Sequence, residues 1–342
     1  MSDPGFKVDD TAKGIGLALD AENGEITLRY SPPHEAFHFS ATLRPSEDLR
    51  RTLSLLSAGI AMPVAARPPA MATRLSQLPA RAGGASQTVG RRIQNLLEWL
   101  LHSKENTNYT YDLTPLNLGH LATMVSVVTG RPCGEIETYL GEPGSDAALE
   151  GHYASGIAAL PPAQSALADP LPKWSRRLGW YAVVRAMKPR LVVETGVDKG
   201  LGALLLCAAL RRNAAEGRAG RYIGTDKNPA AGYLLSGPYA EHGHVMIGDS
   251  IASLRTLAQP IDVFINDSDH SADYEYAEYQ TIAPRLHGRS VLLGDNSHAS
   301  DRLMRFAAET GRQFLFYREE PDGHWYPGAG IGFAFTSPAA PP

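Results

Sequence analysis

The segment Leu191-Val-Val-Glu-Thr-Gly-Val-Asp-Lys-Gly200 decides the fold prediction. A short apolar run ends in the acid Glu194, and after the turn the chain continues into a second apolar run, Leu201–Arg212, with helical character. Gly196 lets the chain turn sharply after the strand, and Gly200 permits close packing where the helix begins. The free N–H groups at the start of such a helix face a polar ligand. The segment therefore predicts a strand–turn–helix unit that binds a ligand.

Short apolar strands alternate with helices throughout residues 173–338. Further strands are predicted at Arg221–Asp226, His244–Ile247, Ile261–Asn266, Ser290–Leu293, Gln313–Arg318 and Ile331–Phe335, and further helices at Leu178–Met187 and Glu275–Leu286. This alternation predicts an α/β domain with a doubly wound, Rossmann-like, mostly parallel sheet. Ligands bind beyond the carboxyl ends of the strands in such sheets. Because acids follow most of the first five strands, we expect an enzyme site at that edge.

The N-terminal half has a different pattern, which predicts an α+β, mainly helical accessory region. Residues 1–60 are expected to form a small unit, with a β-hairpin over 16–30 that turns at Asn23-Gly24, a strand at Phe37–Leu43 and a helix that begins at Ser46. The Pro- and Gly-rich residues 61–87 predict a linker. Residues 88–165 are expected to be helical, with helices near 115–129, 134–141 and 145–159, and to serve as a lid or an oligomerisation region.

Composition excludes several classes of protein. The 342 residues carry a formal net charge of -4, which does not favour a nucleic-acid partner. Two cysteines are too few for a disulfide framework, and Cys207 lies in an apolar run, so we expect a buried thiol there. No apolar run reaches the ~20 residues of a membrane span, and Met1–Asp10 lacks the apolar core of a secretory signal. We therefore expect a cytoplasmic protein without a membrane partner.

The acids at the strand ends suit an adenosyl amino acid. Asp226 is placed to accept both hydroxyls of a ribose, and Glu194 to hold the amino end of the ligand, while Asp249-Ser250 follows the third strand, where an adenine would lie. The pattern resembles that of class I methyltransferases, which read acid-x-Gly-x-x-x-Gly, then an acid that ends strand two, then an acidic turn after strand three. The resemblance implies S-adenosylmethionine (SAM) as the cofactor, bound by Glu194, Gly196, Gly200, Asp226, Asp249 and Ser250.

NAD is the competing cofactor, since Rossmann dehydrogenases also place an acid after strand two. Their Gly-x-Gly-x-x-Gly fingerprint is absent here, because residue 198 is Asp. An acidic side chain close to a pyrophosphate is also unfavourable. The sequence therefore favours SAM over NAD.

Two further segments, Asn266-Asp-Ser-Asp-His270 and Leu293-Gly-Asp-Asn296, follow neighbouring strands. Asp267, Asp295 and the amide oxygen of Asn296 are hard oxygen ligands, which Mg²⁺ prefers. A hydroxyl bound to the metal loses its proton more readily, and its oxygen then attacks the sulfonium methyl in line. The two segments predict a divalent metal site beside the cofactor.

The same segments resemble metal-dependent O-methyltransferases of the catechol and caffeoyl-CoA type. Those enzymes carry an Asp at the end of strand four and an Asp-Asn pair after strand five, which match Asp267, Asp295 and Asn296. Their general base is a Lys three residues after the first Asp, where this chain has His270. Bacterial macrolide-sugar O-methyltransferases look similar and use a His there, whereas a related sugar-methylating group uses an Asp that matches Asp269. The resemblance leaves the catalytic base open between His270 and Asp269.

Other acids and histidines nearby receive weaker interpretations. His298 is a further possible ligand or base, and Asp267 or Asp269 could instead cap the helix that follows. Glu275 and Glu278 are expected on the solvated face of that helix.

We expect a metal-dependent SAM-dependent O-methyltransferase that acts on a hydroxyl of a small molecule. The acceptor would be a sugar or a vicinal phenol in bacterial natural-product and antibiotic tailoring. The resemblance to sugar-methylating enzymes also implies a homo-oligomer. Three alternatives stay open: methylation of nitrogen or carbon; a hydroxylase-like or other non-methylating enzyme, since some cephalosporin-hydroxylase relatives share the Asp-x-Asp-His segment; and a binding protein with a relic site.

Overall fold

The computed structural model describes residues 7–10, 15–20, 25–30, 39–43, 69–105, 110–269 and 271–336. Contacts between Cα atoms divide the chain into two compact units, residues 1–90 and residues 91–342. Within the described ranges, no helix has both the length and the apolar character needed to cross a membrane.

The first unit contains a four-stranded antiparallel sheet. Its strands pair in sequence order: β1 (Lys7–Asp10), β2 (Ile15–Asp20), β3 (Glu25–Tyr30) and β4 (Phe39–Leu43). β2 and β3 pair along their whole length, which confirms the predicted hairpin. Its Asn23-Gly24 turn and the helix predicted from Ser46 lie outside the described residues. β1 was not predicted, because its sequence Lys-Val-Asp-Asp lacks an alternating apolar pattern.

Helix α1 (Pro69–His102) begins inside the segment 61–87, for which the sequence predicted a linker. The linker prediction is therefore corrected from residue 69 onward. Ala, Leu, Arg and Gln, which have high helix propensity, predominate in residues 69–87, although Pro79 and the two glycines at 83–84 are unfavourable inside a helix.

A seven-stranded sheet forms the centre of the second unit. Its strands are β6 (Leu191–Thr195), β7 (Arg221–Asp226), β8 (Gly243–Ile247), β9 (Ile261–Asn266), β10 (Leu286–Gly294), β11 (Gln313–Arg318) and β13 (Gly330–Phe335). The spatial order is β11-β13-β10-β9-β6-β7-β8, and only β13 is antiparallel to its neighbours. The doubly wound, mostly parallel sheet is thus confirmed. The strand order reverses between β6 and β9, so a crevice opens beyond their carboxyl ends.

A two-stranded ribbon and ten helices complete the description of this unit within the described residues. β5 (Asp112–Leu113) pairs with β12 (Pro321–Asp322). After α1 the helices are α2 (Pro115–Thr129), α3 (Cys133–Gly141), α4 (Ala147–Ala158), α5 (Pro162–Ser165), α6 (Arg177–Met187), α7 (Leu201–Ala215), α8 (Gly237–Ala240), α9 (Ser250–Thr256), α10 (Ala272–Ile282) and α11 (Arg302–Glu309). Short 3₁₀ turns lie at Pro143–Ser145, Ala283–Arg285 and Asp295–His298.

Apolar side chains cover both faces of the seven-stranded sheet. Val192 and Val193 on β6 are both fully buried and belong to different core clusters, because successive strand residues point to opposite faces. The cluster on the Val192 side also contains Leu121 and Val125 of α2 and residues of α3 and α4. The region 88–165 was predicted as a separate accessory part. From residue 91 on it belongs instead to the same compact unit as the sheet, because its apolar helix faces share that core.

Candidate active site

A cavity of about 930 Å³ lies at the carboxyl ends of the parallel strands, a volume typical of small-molecule sites. Most residues that the sequence singled out line it: Glu194, Gly196, Asp226, Asp249, Ser250, Asp267, Asp269, Asp295, Asn296 and His298. Gly200 is not among the lining residues and lies at the start of α7. His270 lies outside the described residues. The fold thus gathers side chains from five strand ends around one space.

The turn after β6 is held tightly against the end of β9. Gly196 has a φ of 81°, and a Cβ at this position would lie 1.9 Å from the carbonyl oxygen of Asp267. The Gly196 N–H donates to the Thr225 carbonyl oxygen at 2.9 Å. Gly200 has a φ of 92° where α7 begins. Glycine is therefore required at 196 both for its backbone angle and for the close approach to Asp267.

Asp226 organises the same turn from the end of β7. Its Oδ2 accepts hydrogen bonds from the backbone N–H groups of Val197 at 3.0 Å and Asp198 at 2.8 Å. Its Oδ1 accepts from the Asn228 N–H at 2.8 Å. A carboxylate has about four acceptor sites, so Asp226 keeps capacity for a further donor in the cavity. Ribose binding by Asp226 stays a prediction.

Asp249 and Ser250 form the start of α9. The Asp249 carboxylate accepts from the Ala252 N–H at 2.8 Å and from the Tyr274 hydroxyl at 2.7 Å. These two hydrogen bonds hold the pKa of Asp249 below its ordinary value. Asp249 therefore caps a helix as well as lining the cavity, and adenine recognition there stays a prediction.

Glu278 of α10 is hydrogen-bonded to side chains at several of these strand ends. Its carboxylate is fully buried and accepts hydrogen bonds from four side chains: Thr195, Ser250, Asn266 and Ser268. Burial raises the pKa of Glu278, although the four donors oppose that rise. Glu275 is also fully buried, so the prediction of a solvated face for both residues was wrong. The helix presents this acidic face to the polar strand ends, where hydrogen-bond donors replace water.

Glu194 titrates near neutral pH. The side chain is 1% exposed and accepts a hydrogen bond from the Tyr222 hydroxyl. Burial raises the pKa of Glu194 to about 7, although the Tyr222 hydroxyl and the charge of Arg177 lower it. A cationic group brought next to Glu194 will therefore displace a proton from it.

An ion pair fills the space between α6 and β10. Arg176 donates from Nη2 to Oδ2 of Asp295 at 2.8 Å and from Nε to Oδ1. Asp295 is also hydrogen-bonded to Asp267. Burial and the neighbouring Asp295 raise the pKa of Asp267 well above its ordinary value. Burial opposes ionisation of Asp295, but the charge and hydrogen bonds of Arg176 keep its pKa below the usual range. Asp267 therefore binds a proton more readily than Asp295 does.

Arg176 bears directly on the predicted metal site. Both oxygens of Asp295 accept hydrogen bonds from its guanidinium, so a cation held by Asp267, Asp295 and Asn296 would share this carboxylate with Arg176. Across the described residues, no group of three or more His, Cys, Asp or Glu side chains is arranged to hold a metal ion. The predicted site has only two carboxylates beside the amide of Asn296, and it stays a prediction.

The sequence interpretation missed three charged residues at or near the cavity, Arg176, Arg177 and Glu319, and it gave Glu278 the wrong environment. Glu319 accepts hydrogen bonds from the backbone N–H of Arg176 at 2.8 Å and from the Tyr111 hydroxyl at 2.9 Å, which fixes the entry to α6. One signal was available, since two adjacent arginines stand at the start of a helix, where the helix dipole disfavours cations.

The comparisons with known proteins agree with this geometry. Residues 193–297 match the model of a family described as a methyltransferase domain. No curated protein matches the chain.

Solved structures similar to this chain include three methyltransferases. SAH-bound methyltransferase PaMTH1 of Podospora anserina has 16% identity and a TM-score of 0.40, over 56% of this chain and 89% of that one. The O-methyltransferase of Bacillus cereus in complex with SAH has 16% identity and a TM-score of 0.37, over 59% and 100%. O-methyltransferase TomG of Streptomyces achromogenes, in complex with SAM, has 18% identity and a TM-score of 0.38, over 56% and 91%.

The family match runs from β6 to the turn after β10 and thus includes the strand ends that line the cavity. The order of the seven strands, the glycine turn after β6 and the acids at the cavity agree with that match. This part of the chain is thus similar to a methyltransferase domain.

Proposed function

We propose that this domain transfers the methyl group of SAM to a hydroxyl oxygen of a small molecule. The observation that carries the proposal is the shared cavity. Its lining includes both the residues predicted to bind the cofactor, among them Glu194 and Asp226, and the cluster Asp267, Asp269 and Asp295. An acceptor hydroxyl in this cavity would lie next to groups that bind a proton.

The reaction is a direct displacement at the methyl carbon. The acceptor oxygen forms a bond to the methyl carbon, the carbon–sulfur bond breaks, and S-adenosylhomocysteine leaves with the electron pair. The hydroxyl proton passes to a base on the protein. The walls of the cavity hold the two reactants in line, which is where positioning lowers the barrier most.

The base stays a choice between two neighbours, His270 and Asp269. Asp269 lines the cavity, and its Oδ1 accepts the Ser271 N–H at 2.8 Å, so one of its oxygens is already engaged in the turn before α10. An imidazole has an ordinary pKa near 6.5, which suits general base catalysis at neutral pH. We therefore favour His270.

Asp267 is suited to orient the acceptor. It is partly exposed to the cavity, and its raised pKa favours the protonated carboxyl, which can donate a hydrogen bond as well as accept one. Arg176 fixes Asp295 behind it. Mg²⁺ at Asp267, Asp295 and Asn296 stays a prediction from the resemblance, and the mechanism above does not depend on it.

The proposed acceptor is a small hydroxylated metabolite, a sugar or a vicinal phenol of a bacterial natural product such as an antibiotic. The cavity volume of about 930 Å³ supports a cofactor with a small acceptor. The cytoplasmic location and the homo-oligomer likewise stay predictions from the sequence.

A labelled-methyl assay tests the proposal. The full chain is incubated with methyl-labelled SAM and a panel of hydroxylated sugars and phenols, with and without EDTA, and the labelled atom of the product is identified. We expect label on oxygen, and a stronger loss of rate in His270→Ala than in Asp269→Asn. Label on nitrogen or carbon would contradict the assignment of the acceptor atom. Activity that EDTA abolishes and Mg²⁺ restores would support the predicted metal, and full activity in EDTA would contradict it.

A further inference from the structure

Arg177 is a buried cation without a hydrogen-bond partner at its Nε and Nη1 atoms. The residue is only 4% exposed, and it lines the cavity. A charged group buried in this way is costly unless another group pairs with it. Because the described residues supply no hydrogen-bond acceptor at these atoms, the arrangement points to an anionic ligand group in the cavity.

The position of Arg177 places it beside Glu194. Its guanidinium lies over the ring of Trp180, 5.5 Å from the centroid. A Cβ at Gly202 would lie 2.3 Å from Oε1 of Glu194 and 3.0 Å from Cζ3 of the same tryptophan. Arg177 and Glu194 therefore flank one indole ring, and the charge of Arg177 acts on the Glu194 carboxyl. No hydrogen bond joins the two side chains.

The other basic side chains of the cavity wall differ from Arg177. Arg176 is bonded to Asp295, and Lys199 and Lys227 are partly or fully exposed, so water solvates their charges. Arg177 alone in this group is both buried and unpaired at the described cavity wall. A cation and an anion that stand side by side without pairing are complementary to a zwitterion, in which ammonium and carboxylate are adjacent.

We propose that Arg177 receives the α-carboxylate of the methionyl group of SAM, while Glu194 receives its α-ammonium. This assignment rests on the proposed function, because it takes SAM as the ligand. A guanidinium is weakly hydrated and offers several donors in one plane, which matches a carboxylate better than a single ammonium does. Arg177 is thus a cofactor-binding residue and selects ligands with an intact amino-acid end.

Three ligands that differ only at this end test the assignment by calorimetry. S-adenosylhomocysteine has both charged groups, its decarboxylated analogue keeps only the ammonium, and 5′-methylthioadenosine has neither. We expect the wild-type chain to bind S-adenosylhomocysteine most tightly. Arg177→Met should weaken the binding of S-adenosylhomocysteine on the order of 10- to 100-fold, as expected for the loss of a charge-assisted hydrogen bond. The affinities of the other two ligands should change little. Arg177→Lys should restore part of the loss.

The exposed Arg218 provides a matched control, and Arg218→Met should bind all three ligands as the wild type does. Thermal unfolding without ligand gives an independent readout. Arg177→Met should be at least as stable as the wild type, because it removes an unpaired buried charge. If Arg177→Met does not fold, Arg177→Lys provides the second variant, and its loss of affinity should again be confined to S-adenosylhomocysteine.

Two results would contradict the assignment but leave the proposed function intact. One is an equal loss of affinity for all three ligands in Arg177→Met. The other is wild-type protein that binds the decarboxylated analogue as tightly as S-adenosylhomocysteine. Failure of the wild type to bind any of the three would overturn the proposed function together with it.

Discussion

The ion pair between Arg176 and Asp295 should make a large contribution to stability. Arg176→Met leaves the Asp295 carboxylate, which is 3% exposed, without its cation and beside Asp267. Removal of one partner of a buried pair costs about 3–5 kcal/mol. For a domain of 150–250 residues, each kcal/mol lowers the melting temperature by about 2–4 °C, so we expect a fall of roughly 6–20 °C.

The loss should depend on pH. Arg176 keeps the pKa of Asp295 below its ordinary value, so the pair stabilises the fold above the pKa of an unfolded aspartate, and this contribution fades as pH falls. In Arg176→Met the carboxylate can take up a proton and lose its charge. The difference between variant and wild type should therefore be smaller at pH 5 than at pH 8.

Thermal unfolding of a double-mutant cycle measures the effect. Asp295→Asn and the double variant complete the cycle, and the double variant should lose less than the sum of the single changes, because neither charge is left alone. Arg289→Met, at an exposed position, is the matched control and should melt with the wild type. Single changes that are additive, or an Arg176→Met variant as stable as the control at pH 8, would refute the reasoning.

Three other substitutions have defined outcomes. Because burial raises the pKa of Glu194 from its ordinary 4.5 to about 7, the folded state holds that proton more tightly than the unfolded chain, and stability should fall by about 3 kcal/mol as pH rises from 4.5 to 7. Urea unfolding of Glu194→Gln should lack this decline, and an unchanged pH profile would argue against it. Gly196→Ala should destabilise the domain by more than ~2 kcal/mol in thermal unfolding, since its Cβ would meet the carbonyl oxygen of Asp267 at a φ of 81°. The control Gly134→Ala, which has open space in a helix, should be neutral or stabilising. Equal melting temperatures of the two variants would contradict the packing argument. Glu278→Ala should cost at least ~3 kcal/mol, because it leaves buried donors unpaired, and a chemical denaturation midpoint equal to that of wild type would count against the hydrogen bonds to this carboxylate.

Predictions held best where the deciding signals lie close together in the chain. The helix Pro115–Thr129 was predicted at its observed bounds. Thr114 caps its first turn by accepting the Asn117 N–H, Pro115 occupies the first position, and Gly130 ends it with a φ of 69°. The strand predicted to end at Glu194 and the turn at Gly196 were predicted for the same reason, since a glycine directly after an apolar strand indicates that the backbone turns there.

Predictions failed where a charged side chain finds its environment far away in the chain. Glu278 resembles a surface residue of a helix until the fold brings Thr195, 83 residues earlier, against it. Arg176 meets Asp295 across 119 residues. Spacing cannot reveal such a pair, because a carboxylate or guanidinium is compatible with water as well as with a buried partner.

The sequence by itself predicted the class of fold and the edge of the sheet where the cavity lies, since periodicity, turn glycines and acids after strands act over a few residues. Only the tertiary structure decided which charges at that edge are paired, which bind a proton more readily and which lack a hydrogen-bond partner among the described residues. The reason is that the free energy of a charge depends on everything within several ångströms of it, and the chain assembles that surrounding from segments distant in sequence.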